Sequence, residues 1–227
     1  MTFTLITANR NYSSWSLRPW LLLRALDIPF ADRVEPFTKP ANYDEFRAFS
    51  PTGQVPVLLD GIRTVWDSLG IALYLADRYP QVWPEGEAAR AFAMCAVAEM
   101  HGGFSALRGQ CTMNVGVRVA KPPHDAALAR DVARVRELFE QGLDQFGGPW
   151  LAGPRFSAVD AFFAPVAWRV RTFGLDVGRG QAWVDHVIAH PAMQQWEAEA
   201  LAESWREASH EAELGGAGVI VADYRAG

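Results

Sequence analysis

One proline sets the tightest limit on this chain. It is Pro56 in Ser50-Pro-Thr-Gly-Gln-Val-Pro-Val-Leu58, where an apolar run of strand character begins. Proline brings no backbone N–H, so it fits the entrance of a strand only where the ladder does not need that donor. A cis Val55–Pro56 bond answers the difficulty and turns the Val55 N–H and C=O outward, free to pair with an extended peptide. The alternative is an ordinary strand-initiating proline. Either way, a strand starts here from a loop.

The flanking sequence supplies partners for that strand. Residues 2–7 are short and β-branched and read as a strand; residues 16–26 are leucine-rich with helical spacing. A second strand is expected over 30–35 and a short irregular helix over 43–50. Residues 55–60 and 64–66 flank Asp60-Gly61, a hairpin signal, and 67–79 reads as a helix ended by Tyr79-Pro80. The order β-α-β-α-β-β-α implies a parallel pair with a right-handed crossover, then an antiparallel hairpin, which is the thioredoxin-like arrangement. Residues 80–86 hold two prolines and a glycine and read as a linker. Beyond it the strand signal vanishes, and 87–111, 125–146, 158–172 and 193–208 read as helices of bundle length. The expected organisation is an α+β thioredoxin-like domain over 1–80, an all-α helical bundle over 87–213 and an irregular C-terminal extension over 214–227.

Composition narrows the partners. The 227 residues carry a net charge of −5, lysine stands only at 39 and 121, and the arginines are scattered. Neither nucleic acid nor an anionic membrane is favoured. The N-terminus has no secretory pattern, and the apolar runs are too short to span a bilayer. Cys95 and Cys111 suggest neither a disulfide scaffold nor zinc and read as small buried apolar residues. The five histidines lack metal-ligand spacing, and His186 and His190 mark a helix end before Pro191. A reduced, cytoplasmic protein without a metal is expected.

Two further segments carry chemistry. Asp67 and Ser68 sit where a helix begins. They serve as N-caps, or they offer a hydroxyl and exposed N–H groups to a carboxylate, with Asp67 left for a neighbouring ammonium. Pro19 is tolerated only in a first turn, so a helix start near Trp15 or Ser16 is expected. Ser13 and Ser14 then lie just before that start, as caps or as donors to a thiolate favoured by the helix dipole.

Taken together, the three segments describe a short extended peptide with an amino acid head at one end and a thiol near its middle. Here the sequence resembles the cytosolic glutathione transferases, over about residues 1–210. The resemblance is carried by Ser-Pro-x-Gly-x-Val-Pro-x-Leu, then an acidic–Ser pair before Ile-x-x-Tyr-Leu. It implies glutathione as co-substrate, with Ser13, five positions before Arg18, as the residue that stabilises the thiolate. It implies Val55 and Pro56 at the cysteinyl unit, and Gln54, Asp67 and Ser68 at the glycyl and γ-glutamyl ends. Lys39 lies where a basic residue often reaches the glycyl carboxylate. Ser157-Ala-Val-Asp160 matches the capping box that opens the central helix of the helical domain in that family, a structural role.

The resemblance also implies a homodimer, a detoxifying role, and conjugation to an apolar electrophile held between the Tyr12 loop and the helix near 100–107. Ser13-Ser-Trp-Ser16 and Pro165 are similar to the zeta-like members, which include maleylacetoacetate isomerases. Trp15 stands where those carry cysteine, and Arg171 is one residue from the arginine they place late in the central helix. Isomerisation is therefore an alternative. A non-catalytic ligand-binding or scaffold protein is another.

Overall fold

The structure, a computed structural model, describes residues 3–38, 42–120 and 125–225. The first half runs β1 (Phe3–Thr7), α1 (Ser14–Ala25), β2 (Phe30–Val34), α2 (Tyr43–Phe46), β3 (Val57–Asp60), β4 (Arg63–Val65) and α3 (Ser68–Ala76). The sheet order is β2-β1-β3-β4, with β1 parallel to β2 and the other pairs antiparallel. This is the expected thioredoxin-like half. The interior strand β1 buries both faces, placing Leu5 and Ile6 wholly out of water, while the edge strand β2 alternates between partly buried and exposed.

The Val55–Pro56 bond is cis. The β3 ladder begins one residue later, where Val57 faces Ile6 of β1, so the missing proline N–H costs the sheet nothing. Gly53 in the preceding turn has a φ of +66°, and a Cβ there would meet the Tyr43 ring at 2.5 Å. Glycine is thus required both by the left-handed backbone and by the close approach of α2.

The second half contains α4 (Glu87–Gly102), α5 (Ser105–Gln110), α6 (Ala126–Phe146), α7 (Ala158–Phe173), α8 (Gln181–Ile188), α9 (Pro191–Ala202) and α10 (Ala208–Gly216). Every residue of α7 but Arg171 is buried. A helix apolar on all sides belongs at the centre of a core, and α7 packs on α1, α4 and α8 there. Leu17 and Trp20 of α1 share one apolar cluster with Phe162 and Trp168 of α7, which joins the two halves.

Several expectations needed correction. The helix over 87–111 is two helices, broken at Gly103 and Phe104, where Phe104 takes a left-handed φ of +55°. The helix over 193–208 is likewise divided, into α9 and the start of α10, and α8 is the helix whose end His186 and His190 mark. Helix α1 begins at Ser14 rather than Trp15 or Ser16, so Pro19 lies in its second turn and leaves the Trp15 carbonyl without its usual N–H partner. Strand structure does not end at the linker. Strands β5 (Val117–Ala120) and β6 (Val219–Asp223) form a two-stranded antiparallel sheet. The tail is therefore not irregular: Glu213–Gly216 complete α10, and β6 returns to the body beside β5. Each strand is too short to signal itself, since its pairing depends on a partner about a hundred residues away.

Candidate functional site

Strand register brings the three sequence segments to one end of the sheet. The C-terminal end of β1 faces the N-terminal end of β3 through Ile6 and Val57, and the C-terminal end of β4 faces the same region through Leu58 and Val65. The loop to Ser13, the cis Val55–Pro56 bond and the Asp67 turn into α3 all emerge there. Val55 lies outside the ladder, so its N–H and C=O are not claimed by β1.

Ser13 occupies the N-cap position of α1, but its side chain makes no capping bond. Its hydroxyl donates instead to Ser16 Oγ at 2.7 Å, and Ser16 Oγ accepts the Ala8 N–H at 3.3 Å. The first turn of α1 contains no acidic residue, so the positive end of its dipole is uncompensated there. Ser14, by contrast, is the first helical residue and only partly buried.

At α3 the capping role is realised. Asp67 Oδ1 accepts the Leu69 and Gly70 N–H groups at 2.9 and 3.3 Å. Its other oxygen lies 3.3 Å from His101 Nε2, and the Asp67 side chain is 55% exposed. The Ser68 hydroxyl is fully buried and has no hydrogen-bond partner among the described residues. A buried hydroxyl without a partner is costly unless something supplies one. Gln54 is exposed at its side chain, and its backbone N–H and C=O are both tied to the Ser50 hydroxyl, at 3.2 and 2.6 Å. Lys39 lies outside the described residues.

What holds the Ser13 loop carries no local sequence signal. Arg10 is buried, paired with Asp32 and with Glu199 at 3.0 Å, and stacked 4.5 Å over Trp196. The Glu203 carboxylate accepts the backbone N–H groups of Arg10 and Asn11. Tyr12 is buried, donates to Glu211 and stacks 4.9 Å from the His210 ring. Burial and the neighbouring carboxylate push its phenol far up, so it stays protonated. Arg225 closes the assembly on Glu211 at 2.6 Å. The C-terminal helices thus strap the loop, through groups that only the folded chain brings together.

One expectation changes at Cys95, and His101 acquires partners near the site. His101 is partnered by Asp67 and packs edge-on against Trp15 at 5.3 Å. Cys95 is exposed rather than buried, while Cys111 is buried and its thiol is pushed up to about 11 by burial. On the helix near 100–107, Met100 and Leu107 point into the core, and His101 and Arg108 meet Trp15 instead. Arg171, the residue one position off the isomerase pattern, pairs with Glu197 at 3.1 Å. Among the described residues no group of three or more His, Cys, Asp or Glu side chains is placed to hold a metal ion, and no helix is long and apolar enough to cross a membrane.

A four-stranded thioredoxin-like sheet with a cis proline and a helix N-terminus at one end of its strands, fused to a helical half around one buried central helix, defines the class of the glutathione-transferase fold. The comparisons agree. The family models for the N-terminal and C-terminal domains of glutathione S-transferase match residues 12–78 and 125–199. The chain belongs to the glutathione S-transferase family. It is 43% identical to the dichloromethane dehalogenase of Methylorubrum extorquens, over 24% of this chain and 19% of that protein. It is 24% identical to glutathione S-transferase 1 of Dianthus caryophyllus, over 72% of this chain and 76% of the relative. Among solved structures, a glutathione transferase homolog from Burkholderia, crystallised with bound glutathione, superimposes with a TM-score of 0.66 at 21% identity, covering 88% of this chain and 98% of that one.

Proposed function

We propose that this chain is a glutathione transferase, which binds glutathione as co-substrate and joins its sulfur to an electrophile. The observation that carries the proposal is the buried, unpartnered Ser68 hydroxyl at the start of α3, on the same sheet end as Val55–Pro56 and Ser13. The γ-glutamyl carboxylate takes that hydroxyl, and the ammonium beside it faces Asp67 Oδ2, the oxygen not engaged in capping. The cysteinyl backbone pairs with Val55 beside Pro56, and Gln54 lies toward the glycyl end. The thiol rests by Ser13, where a hydroxyl and the α1 dipole both favour the thiolate. Its proton leaves to solvent, and a sulfur lone pair forms the new C–S bond. In a substitution the leaving group departs with its electron pair; in an addition the resulting carbanion takes a proton.

A cytoplasmic, detoxifying homodimer completes the proposal. Trp66, Leu73 and Met94 support the dimer, since these large apolar side chains are 44%, 50% and 41% exposed in the single chain.

Calorimetric titration with glutathione, with its thiol-free analogue ophthalmic acid alongside, tests the site. Saturable sub-millimolar binding of both is expected, because most contacts ignore the sulfur. No binding of either at millimolar concentration would leave a scaffold or ligand carrier as the function. In the Asp67→Ala variant glutathione affinity should fall by about tenfold, the weight of one charge-assisted contact. Unchanged affinity would place the amino acid head elsewhere.

A further inference from the structure

The serine proposed to meet sulfur does not do what its position invites. Ser13 stands at the N-cap of α1, where a serine oxygen ordinarily accepts an amide N–H of the first turn, yet it makes no such bond. Its Oγ lies 2.7 Å from the Oγ of Ser16 instead. Ser16, in the first turn of α1, is wholly buried and also accepts the Ala8 N–H at 3.3 Å. Ala8 follows the last residue of β1 and is wholly buried as well. A chain of hydrogen-bonding groups therefore runs from the end of the strand, through Ser16, to Ser13.

The two hydroxyls share one hydrogen bond, and either can give the proton, since a hydroxyl proton rotates about its C–O bond. While Ser13 donates to Ser16, its proton is held inside the protein and none faces a thiol. Among the described residues Ser16 then has no acceptor for its own proton. In the opposite direction the Ala8 N–H donates to Ser16, Ser16 donates to Ser13, and Ser13 donates outward. No proton changes owner; two O–H bonds turn. Each bond in such a chain polarises the next, so a Ser13 hydroxyl that accepts from Ser16 is the stronger donor. An anion at the open end favours this direction, because the outermost proton then meets negative charge.

We infer that Ser16 is a positioning residue for the conjugation reaction: with a thiolate in place it turns its proton to the Ser13 oxygen and so frees the Ser13 proton for sulfur. The inference rests on the transferase proposal. The strand fixes Ala8 and the helix fixes Ser16, so the Ser13 oxygen is located by rigid elements although Ser13 itself ends a loop.

The thiolate absorbance of bound glutathione against pH, and the rate of conjugation to a chloronitrobenzene, read the relay. In Ser16→Ala the thiol midpoint should rise by about one pH unit and the rate at neutral pH should fall by about tenfold, the weight of one hydrogen bond. Affinity for ophthalmic acid, which has no thiol, should not move. Ser16→Thr keeps the hydroxyl and should restore most of the rate. Because Ser16→Ala also strands the buried Ala8 N–H, the same substitution is repeated in the Ser13→Ala background. There it should change the rate by less than about twofold, since its route to sulfur is already gone. The same loss in both backgrounds would show a structural role and overturn the inference. So would a thiol midpoint that stays or falls in Ser16→Ala, a fall meaning that Ser16 withholds the Ser13 proton. Where Ser16→Ala does not fold, Ser16→Cys, with a weak S–H donor in nearly the same volume, carries the same comparison of rates. A native protein that binds no glutathione would remove the transferase proposal and the relay with it. A native thiol midpoint that Ser16→Ala leaves in place would remove the relay alone.

Discussion

In the Ser13→Ala variant, conjugation of glutathione to a chloronitrobenzene should slow by about a hundredfold at neutral pH, the cost of losing one donor to a developing or bound anion. Glutathione affinity should change little, because in the proposed site Ser13 meets only the sulfur. Two effects favour the thiolate, and their sizes differ. A hydrogen bond to an anion is worth about 1.5–3 kcal/mol, whereas a helix terminus contributes about 0.3–1 kcal/mol. A hundredfold loss corresponds to about 2.7 kcal/mol, so the hydroxyl is the larger contributor. The structure adds a condition, because the Ser13 hydroxyl is engaged with Ser16 at 2.7 Å and must turn away from it to reach sulfur. The thiolate absorbance of bound glutathione, followed against pH, checks the cause. The midpoint in Ser13→Ala should move up toward that of the free thiol. If Ser14→Ala produces these effects and Ser13→Ala does not, the sulfur lies one residue further along.

The largest effect on stability is expected at Asp160. Its buried carboxylate accepts the Leu151 N–H at 2.9 Å, the Ser157 N–H at 3.0 Å and the Trp183 indole N–H at 2.9 Å. Asp160→Ala strands all three donors in the core and opens a void, so unfolding free energy should fall by about 3–5 kcal/mol. Urea denaturation at pH 7 followed by tryptophan emission measures it; a loss under about 1 kcal/mol would refute the role.

Asp160 also gives stability a pH dependence with a definite sign. Burial raises its pKa to about 6 in the folded chain, against about 3.9 in an unfolded one. Between those values only the folded state holds the proton. This proton-linked component of stability is therefore fully present below about pH 4 and is lost as pH rises through about 6, while the three hydrogen bonds to the carboxylate remain. The variant should lack this component, seen as a smaller change of denaturation midpoint across that window.

Much of the candidate site was legible because its signals are local. Proline without an N–H, at the head of a strand, left few backbone arrangements at residues 55–56. Asp67-Ser68 and Ser157-Ala-Val-Asp160 announce helix starts through orphan amides that any helix must satisfy within its first turn. What escaped depends on partners far apart in the chain. The carboxylate that holds the Arg10 amide is Glu203, separated from it by 193 residues. No periodicity relates them, and each taken alone reads as an ordinary solvated charge.

The sequence alone thus determined the order of strands and helices in the first half, the loop-borne proline and the serine before α1, since each follows from backbone chemistry within a few residues. Only the tertiary structure decided which groups face one another. It set β5 against β6, broke the helix at Phe104, turned His101 and Arg108 toward Trp15, and left Ser68 and Arg18 buried with open hydrogen-bonding groups. Burial and long-range pairing belong to the packed chain as a whole, and a hydroxyl or guanidinium gains its meaning there from what surrounds it.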